Sequence, residues 1–437
     1  MNIQIVLKFI RNLVLSMIMT GNLYSQSFEY IYQTTDDEVI SDAVQDVKGN
    51  YFLVGSIGNS LPPSQGDKSG LIIKIDSLGQ YIDSKIINSN QDYISLGNII
   101  LDSDSTFLIT GYRIPIGMSN SLIYTLKLDT ALNILSEQSF GDFAYNNQIS
   151  KIYKINLDTL IFVGSVQTYS PQINSDIIFG MMSTNGDSIS MLKFGNPNGF
   201  QMGFDLLVYN NNIDSVYLFV YGMLNTPMYP LEVIKLSSNF GLDSIAIIPI
   251  SSTIRTMSAK WISLTTFLVG TSGYENVWSL DKSLGIGKFD ITFNCIDTLF
   301  FGVADTNEHE AGFCIDFKTV DKVYFGGTKN SSLFFSPFES YYYIIRMDTS
   351  FNVSFVKSIG YQNDCLGLYK VLATSDGGVL LAGTKYDAAT ANGQERDIYV
   401  IKLDSLGNYV TGTGNSPIEQ VHDFIVYPNP AASQLTF

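Results

Sequence analysis

Histidine, cysteine and tryptophan are scarce in this sequence, and their placement bounds its chemistry. The two histidines, His309 and His422, lie far apart in the chain. No Ser–His–Asp constellation and no zinc-ligand spacing can be drawn from them. Glu308-His309-Glu310 reads as a solvated loop. The three cysteines, Cys295, Cys314 and Cys365, are too few for a disulfide framework. Cys295 follows Phe293-Asn294 as Val353 follows Phe351-Asn352, so it reads as a small apolar strand residue. No catalytic residue and no metal ligand is assigned. Calcium is the one cofactor left open, at Asp102-Ser103-Asp104-Ser105 and Asp36-Asp37-Glu38. Neither stretch has the spacing of a calcium loop, and the first reads as a turn between strands. A pair among the 41 acidic residues is the only route to a hydrolase. Trp261 falls on a strand and reads as core, whereas Trp278 falls in a loop and is the better exposed contact.

The charge balance excludes other partners. Formal net charge is −16, and it becomes −18 once Lys8 and Arg11 are removed with residues 1–25. Such a surface repels phosphate backbones and offers no polybasic patch to anionic lipid. Charged residues are only 15% of the chain while aromatic residues are 13%, with 26 Tyr and 28 Phe. That mixture favours strands and turns over helices.

What positions these residues is an internal repeat. A short apolar run ending in glycine recurs at Gly55, Gly111, Gly164, Gly222, Gly270, Gly327 and Gly383, at intervals of 56, 53, 58, 48, 57 and 56 residues. A second apolar run follows each and ends at Asp76, Asp129, Ser183, Ser237, Asp290, Asp348 and Asp404. A third mark, at Gly141, Gly195, Gly302 and Gly360, lies 12 residues after its second landmark. Each unit reads as four strands, a to d, joined by tight turns in which Gly and Asn supply positive φ. The b strands are apolar at nearly every position, which fits sheets covered on both faces. Four-stranded sheets repeated radially make a β-propeller, here of seven blades over residues 26–410. Ser27–Tyr32 has the spacing of a d strand without its own blade. It is expected to pair with the strand ending at Leu403 and to close the ring. A large barrel or a solenoid is the runner-up fold.

The two ends of the chain carry an address. Residues 1–25 read as a secretory signal, with Lys8 and Arg11 ahead of an apolar core and a cut before Gln26. That core is too short to span a bilayer. Residues 411–424 read as a linker. Tyr427-Pro428-Asn429-Pro430-Ala431, followed by apolar alternation to Phe437, resembles the opening of the C-terminal sorting domain of type IX secretion cargo. The resemblance covers residues 425–437 and implies a β-sandwich of which this chain holds only the beginning. It also implies export through the periplasm by the type IX machinery, to the medium or the cell surface. The repeats likewise look like the propeller repeats of such cargo. Asp76-Ser77-Leu78 and Asp404-Ser405-Leu406 resemble O-glycosylation acceptor triplets of bacteria with that route, although hairpin-turn chemistry accounts for them more simply.

The expected function is a non-catalytic binding module that meets an extracellular protein or glycan through loops on one face. A polysaccharide hydrolase and a structural spacer are the alternatives. The b–c loops vary while the a–b and c–d turns repeat, so contacts are expected on the b–c/d–a face, with Trp278 and Tyr386 among them.

Overall fold

A computed structural model describes residues 26–58, 68–88, 92–168, 174–195, 199–212, 215–222, 231–248, 258–274, 282–302, 306–331, 339–387, 395–409 and 425–428. β1 (Phe28–Tyr32) precedes a series of four-stranded antiparallel sheets. Sheet I holds β2 (Asp37–Gln45), β3 (Tyr51–Gly58), β4 (Lys68–Ile75) and β5 (Tyr81–Ile87). Sheet II holds β6 (Tyr93–Ser103), β7 (Thr106–Ile114), β8 (Leu122–Asp129) and β9 (Ile134–Phe140). Sheet III holds β10 (Asn146–Lys154), β11 (Thr159–Thr168), β12 (Asn174–Ser183) and β13 (Ser188–Phe194). Sheet IV holds β14 (Met202–Val208), β15 (Val216–Tyr221), β16 (Leu231–Leu236) and β17 (Leu242–Ile248). Sheet V holds β18 (Ser258–Trp261), β19 (Thr266–Tyr274), β20 (Lys282–Asp290) and β21 (Cys295–Gly302). Sheet VI holds β22 (His309–Asp316), β23 (Val323–Lys329), β24 (Tyr341–Met347) and β25 (Val353–Ile359). Sheet VII holds β26 (Asp364–Ala373), β27 (Val379–Asp387) and β28 (Asp397–Leu403), and β1 supplies its fourth strand. Sheets VI and VII touch through one parallel bridge, Phe313 to Lys370.

Burial explains the non-alternating sequences. All eight residues of β3 are buried, whereas the fourth strands β5, β9 and β13 are mostly exposed. Each sheet presses its faces on both neighbours, so apolar residues fall on both sides of the b and c strands. One core joins Phe28, Ile40 and Leu53 to Leu380 and Val400, and so packs sheet I on sheet VII. Another joins Phe52 and Val54 to Ile94 and Phe107, and packs sheet I on sheet II. The first strands touch in an unbroken ring, β2, β6, β10, β14, β18, β22, β26 and back to β2.

The ring closes where the sequence places it. β1 runs antiparallel to β28, with Phe28 opposite Lys402 and Tyr32 opposite Ile398. Glu29 accepts hydrogen bonds from the Tyr399 and Tyr361 hydroxyls at 2.7 and 3.0 Å. Phe28 lies over Gly79, where a Cβ would meet the ring at 2.4 Å.

The c–d turns repeat one chemistry. The Asp76, Asp129, Asp290, Asp348 and Asp404 carboxylates each accept two backbone N–H groups, two and four residues on, at 2.8–3.0 Å. Three residues after each landmark the backbone is left-handed. Gly79, Gly186 and Gly407 occupy this place as expected, but Leu132, Phe240, Phe293 and Phe351 do so in the other turns. Their side chains reach into the clefts between sheets, and Leu132 is 3% exposed. Packing there offsets a backbone cost of about 1 kcal/mol.

Candidate functional site

Four of the landmark glycines mark a bulge in the first strand of their sheet. Gly55, Gly111, Gly164 and Gly383 pair with Ile40, Leu96, Ile149 and Leu368, after which the register slips by one residue. A Cβ on these glycines would meet the carbonyl oxygens of Val39, Ser95, Gln148 and Gly367 at 1.8–2.0 Å. Only glycine fits such an approach. In sheet IV the equivalent residue is Val220, opposite Gly203. The sequence landmark Gly222 is therefore two residues late, which accounts for the long interval of 58 before it and for part of the short one of 48 after it.

The residues just past the bulges are Asp42, Asn98, Lys151, Asp205 and Lys370, all on strands that ring the axis. They form relays between sheets. Lys370 of sheet VII pairs with Asp42 of sheet I at 2.7 Å, and Asp42 accepts the Ile99 N–H of sheet II at 3.1 Å. Lys151 of sheet III lies 3.8 Å from Asp205 of sheet IV, which accepts the Ala259 N–H of sheet V at 2.8 Å. Lys260 of sheet V pairs with Asp316 of sheet VI, which accepts the Ala373 N–H of sheet VII at 2.8 Å. Phe313, in the irregular stretch of β22 between Glu310 and Ile315, stands between two of these cations. The Lys151 and Lys370 ammonium groups lie 4.5 and 4.6 Å from its ring centroid. Lysines from two well-separated sheets thus meet on one ring inside the channel. Burial pushes the Asp205 carboxyl above the usual range. Burial pushes Asp316 the same way, but Lys260 and Lys370 outweigh it and hold its carboxyl low.

At the b–c/d–a end, side chains entering the first strands lock adjacent sheets. The N–H groups of Glu38, Asn147, Gln201 and Glu308 donate to the carbonyls of Arg396, Ser121, Ser175 and Lys282 at 2.7, 3.1, 2.8 and 2.9 Å. All four side chains are 0% exposed. Glu308 and His309 are therefore buried at a sheet junction rather than solvated in a loop, because charge in a sequence marks solvent only when the backbone is exposed. The junction of sheets VII and I is the most highly charged of these. Arg396 grips Asp37 with two bonds of 2.7 Å, and Lys68 stands 3.5 Å away. Burial pushes the Asp37 carboxyl up, but Arg396 and Lys68 hold it below its ordinary value. Asp37 and Glu38 are thus strand residues with partners, not an open calcium loop. Burial, with Asp397 and Glu395 adding to it, raises Glu38 to about 7. Burial and Glu395 raise Asp397 to about 6.

Tyr386 is half-buried near the end of β27, opposite Cys365, and hydrogen-bonds its thiol. It lies within electrostatic reach of Arg396, so this expected contact belongs to the charged junction. Trp278 lies outside the described residues. Trp261 is partly buried against the core between sheets IV and V. Cys295 opens β21 as Val353 opens β25, each beside a register slip. Asp102 binds Lys127 and Lys154 at 2.9 and 2.6 Å, so the Asp102–Ser105 stretch is a cross-linked a–b turn. Tyr427 and Pro428 fall in β29 (Ile425–Pro428), which adds antiparallel to β21 at the edge of sheet V. Asn429 and Pro430 lie outside the described residues. No group of three metal-ligating side chains occurs among the described residues, and none of their helices is long and apolar enough to cross a membrane. The channel residues escaped the sequence reading. In β14 the signal was a lone acid, Asp205, in an otherwise apolar strand, whereas β2 and β10 carry several polar residues that hide Asp42 and Lys151.

These sheets define a β-propeller. No protein family matches the sequence, and no curated protein is significantly similar to it. Among solved structures the chain is similar to the β-propeller domain of the Trilobed protease from Pyrococcus furiosus, at 13% identity over 85% of this chain and 96% of that one, with a TM-score of 0.46. It is also similar to the Pan2 WD40 domain of Neurospora crassa, at 10% identity, 89% and 96% coverage and a TM-score of 0.45. An α-L-arabinanase of Penicillium chrysogenum matches at 10% identity, 88% and 99% coverage and a TM-score of 0.42.

Proposed function

We propose that this chain is a seven-bladed propeller, exported from the cell, that acts as a non-catalytic binding module for an extracellular protein or glycan. The observation that carries this reading is the contrast between the connections at its two ends. Five of the c–d turns repeat one Asp-anchored design and Ser183 and Ser237 stand in its place in the others, whereas the b–c connections run from five residues, 169–173, to eleven, 330–340. Varied loops on a rigid ring are where recognition evolves. Tyr386 and the Arg396 junction stand at that end, and Phe313 meets Lys151 and Lys370 on the first strands. The partner on this reading sits over the b–c/d–a end without threading the axis. Surface substitutions read on glycan and protein arrays test it. Loss of binding on replacing 330–340 or Tyr386 supports the reading. Loss confined to changes at Asp76, Asp348 or Asp404 overturns it.

The address is part of the same proposal: a signal over 1–25, a linker over 411–424, and a type IX sorting sequence opening at Tyr427-Pro428-Asn429-Pro430. Secreted protein is expected to begin at Gln26, and deleting 425–437 is expected to strand it in the periplasm. Intact Met1 on the mature protein, or unchanged secretion of the deletion, counts against it.

A hydrolase is the second reading, and the raised Glu38 and Asp397 carboxyls favour it, since a carboxyl near pKa 7 can donate a proton at neutral pH. Glu38 is fully buried beneath Thr34, however, and the 33–36 segment must open before it meets a substrate. Glycan cleavage that disappears in Glu38→Gln would establish this reading over binding alone.

A further inference from the structure

We propose that the opposite end of the ring carries a second binding site, for an uncharged hexopyranose glycan, in the cleft where the a–b turns of sheets III, IV and V converge. A cavity of about 400 Å³ opens there. Its walls include Tyr153 from β10, Tyr209 and Asn210 from the turn after β14, Trp261 at the end of β18, and Ser263 and Leu264 from the turn that follows. That volume is within the range of small-ligand sites, roughly 300–1,000 Å³.

The aromatic wall is set before any ligand arrives. The Trp261 indole N–H donates to the Val208 carbonyl at 3.0 Å. Its ring meets Tyr209, Tyr217 and Phe267 edge-on, at centroid distances of 5.8, 5.8 and 5.4 Å. Three rings and a hydrogen bond therefore fix its orientation, and little side-chain freedom remains to be lost on binding. Tyr209 is held by its N–H to the Ser215 carbonyl at 2.9 Å. Asn210 stands in the left-handed region, at φ 50 and ψ 35, and is exposed at the mouth. Asparagine tolerates that backbone and there presents an amide able both to donate and to accept.

The lining selects the ligand class. In a chain of net charge −16, no residue lining this cavity is charged. An ionic ligand finds no counter-charge here, and desolvating it would cost more than the site returns. Aromatic side chains with an amide, a serine hydroxyl and phenol groups suit a ligand that is apolar on its faces and hydroxylated at its rim. A pyranose has that distribution. The site is separate from the loop end proposed above and does not depend on it.

The test uses tryptophan as its own reporter. The chain has two tryptophans, so Trp278→Phe leaves Trp261 alone. Its emission is followed during titration with laminarihexaose, cellohexaose and mannohexaose, and with hexagalacturonate as an acidic control. A saturable change with at least one neutral oligosaccharide is expected, with the acidic one at least about tenfold weaker. Tyr209→Ala in the same background is expected to weaken binding about tenfold or more while the chain stays folded, its melting temperature lower by no more than about a few degrees, and Tyr386→Ala to leave binding unaltered. Asn210→Asp, an exposed change that adds charge without deleting an aromatic wall, provides a second variant and is expected to weaken binding as well. No response to any neutral hexasaccharide up to about 10 mM overturns the proposal. So does equal binding of the acidic one, or sensitivity to Tyr386→Ala instead of Tyr209→Ala.

Discussion

The two ends of the ring differ in how their turns are satisfied, although both carry links between sheets, as Asp102 does to Lys154 at the a–b/c–d end. At the a–b/c–d end each Asp turn satisfies its own backbone, as Asp348 does for Ser350 and Asn352. At the b–c/d–a end the polar groups reach from one sheet to the next, as Arg396 does to Asp37. A fault in one of these Asp turns stays local. A fault at the b–c/d–a end strands a buried charge between two sheets, and the whole ring shares the cost.

That contrast can be broken at Arg396. Arg396→Ala leaves Asp37, 3% exposed, without its bidentate partner. A loss of about 3–5 kcal/mol is expected in chemical denaturation, as for other buried pairs cut on one side. A loss below about 1 kcal/mol would show Lys68 compensating fully, and the two ends would then be alike.

Glu38 sharpens the comparison through pH. Its folded carboxyl holds a proton up to about pH 7, whereas the unfolded chain releases it near 4.5. Between those values the folded state binds more protons, so stability falls as pH rises and levels off above about 7. Glu38→Gln is expected to remove most of that fall and to stabilise the protein by on the order of 2 kcal/mol at pH 8. Asp397 leaves a smaller slope of the same sign below about pH 6. Melting curves from pH 4 to 8 read both, and a variant with the parent's profile would refute the assignment.

The turns come next in size. Asp348→Ala deletes two backbone bonds in an exposed turn and is expected to cost about 1 kcal/mol. Its carboxyl is held below 3.8, chiefly by the Asn352 amide, so its contribution is present above that pH and lost as pH falls further. A cost comparable to that of Arg396→Ala would erase the distinction between the ends. Smallest is Cys295→Ala, at a half-buried strand start, expected within about 0.5 kcal/mol. A collapse on that change would reveal a structural role for the thiol.

The repeat was legible because its marks are sterically forced. Gly55 is glycine because the Val39 carbonyl leaves no room for a Cβ, and Asp76 is Asp because its turn needs two accepted N–H groups. Where another solution served, the reading slipped. Val220 stands where the ruler looked for Gly, and Leu132 stands in a left-handed place usually given to Gly. The relays of Lys370 with Asp42 and Lys151 with Asp205 were illegible for a different reason. Each joins residues hundreds or dozens of positions apart, at strand bulges that break the two-residue period.

The pairing of β1 with β28 has a mechanical consequence. Phe28, where β1 begins, lies opposite Lys402, near the end of β28. The chain therefore enters β1 and leaves β28 at the same edge of sheet VII. Tension applied between those two points peels the ladder open one bond at a time, so no two rungs share the load. A ring built this way opens readily when both of its own ends are pulled.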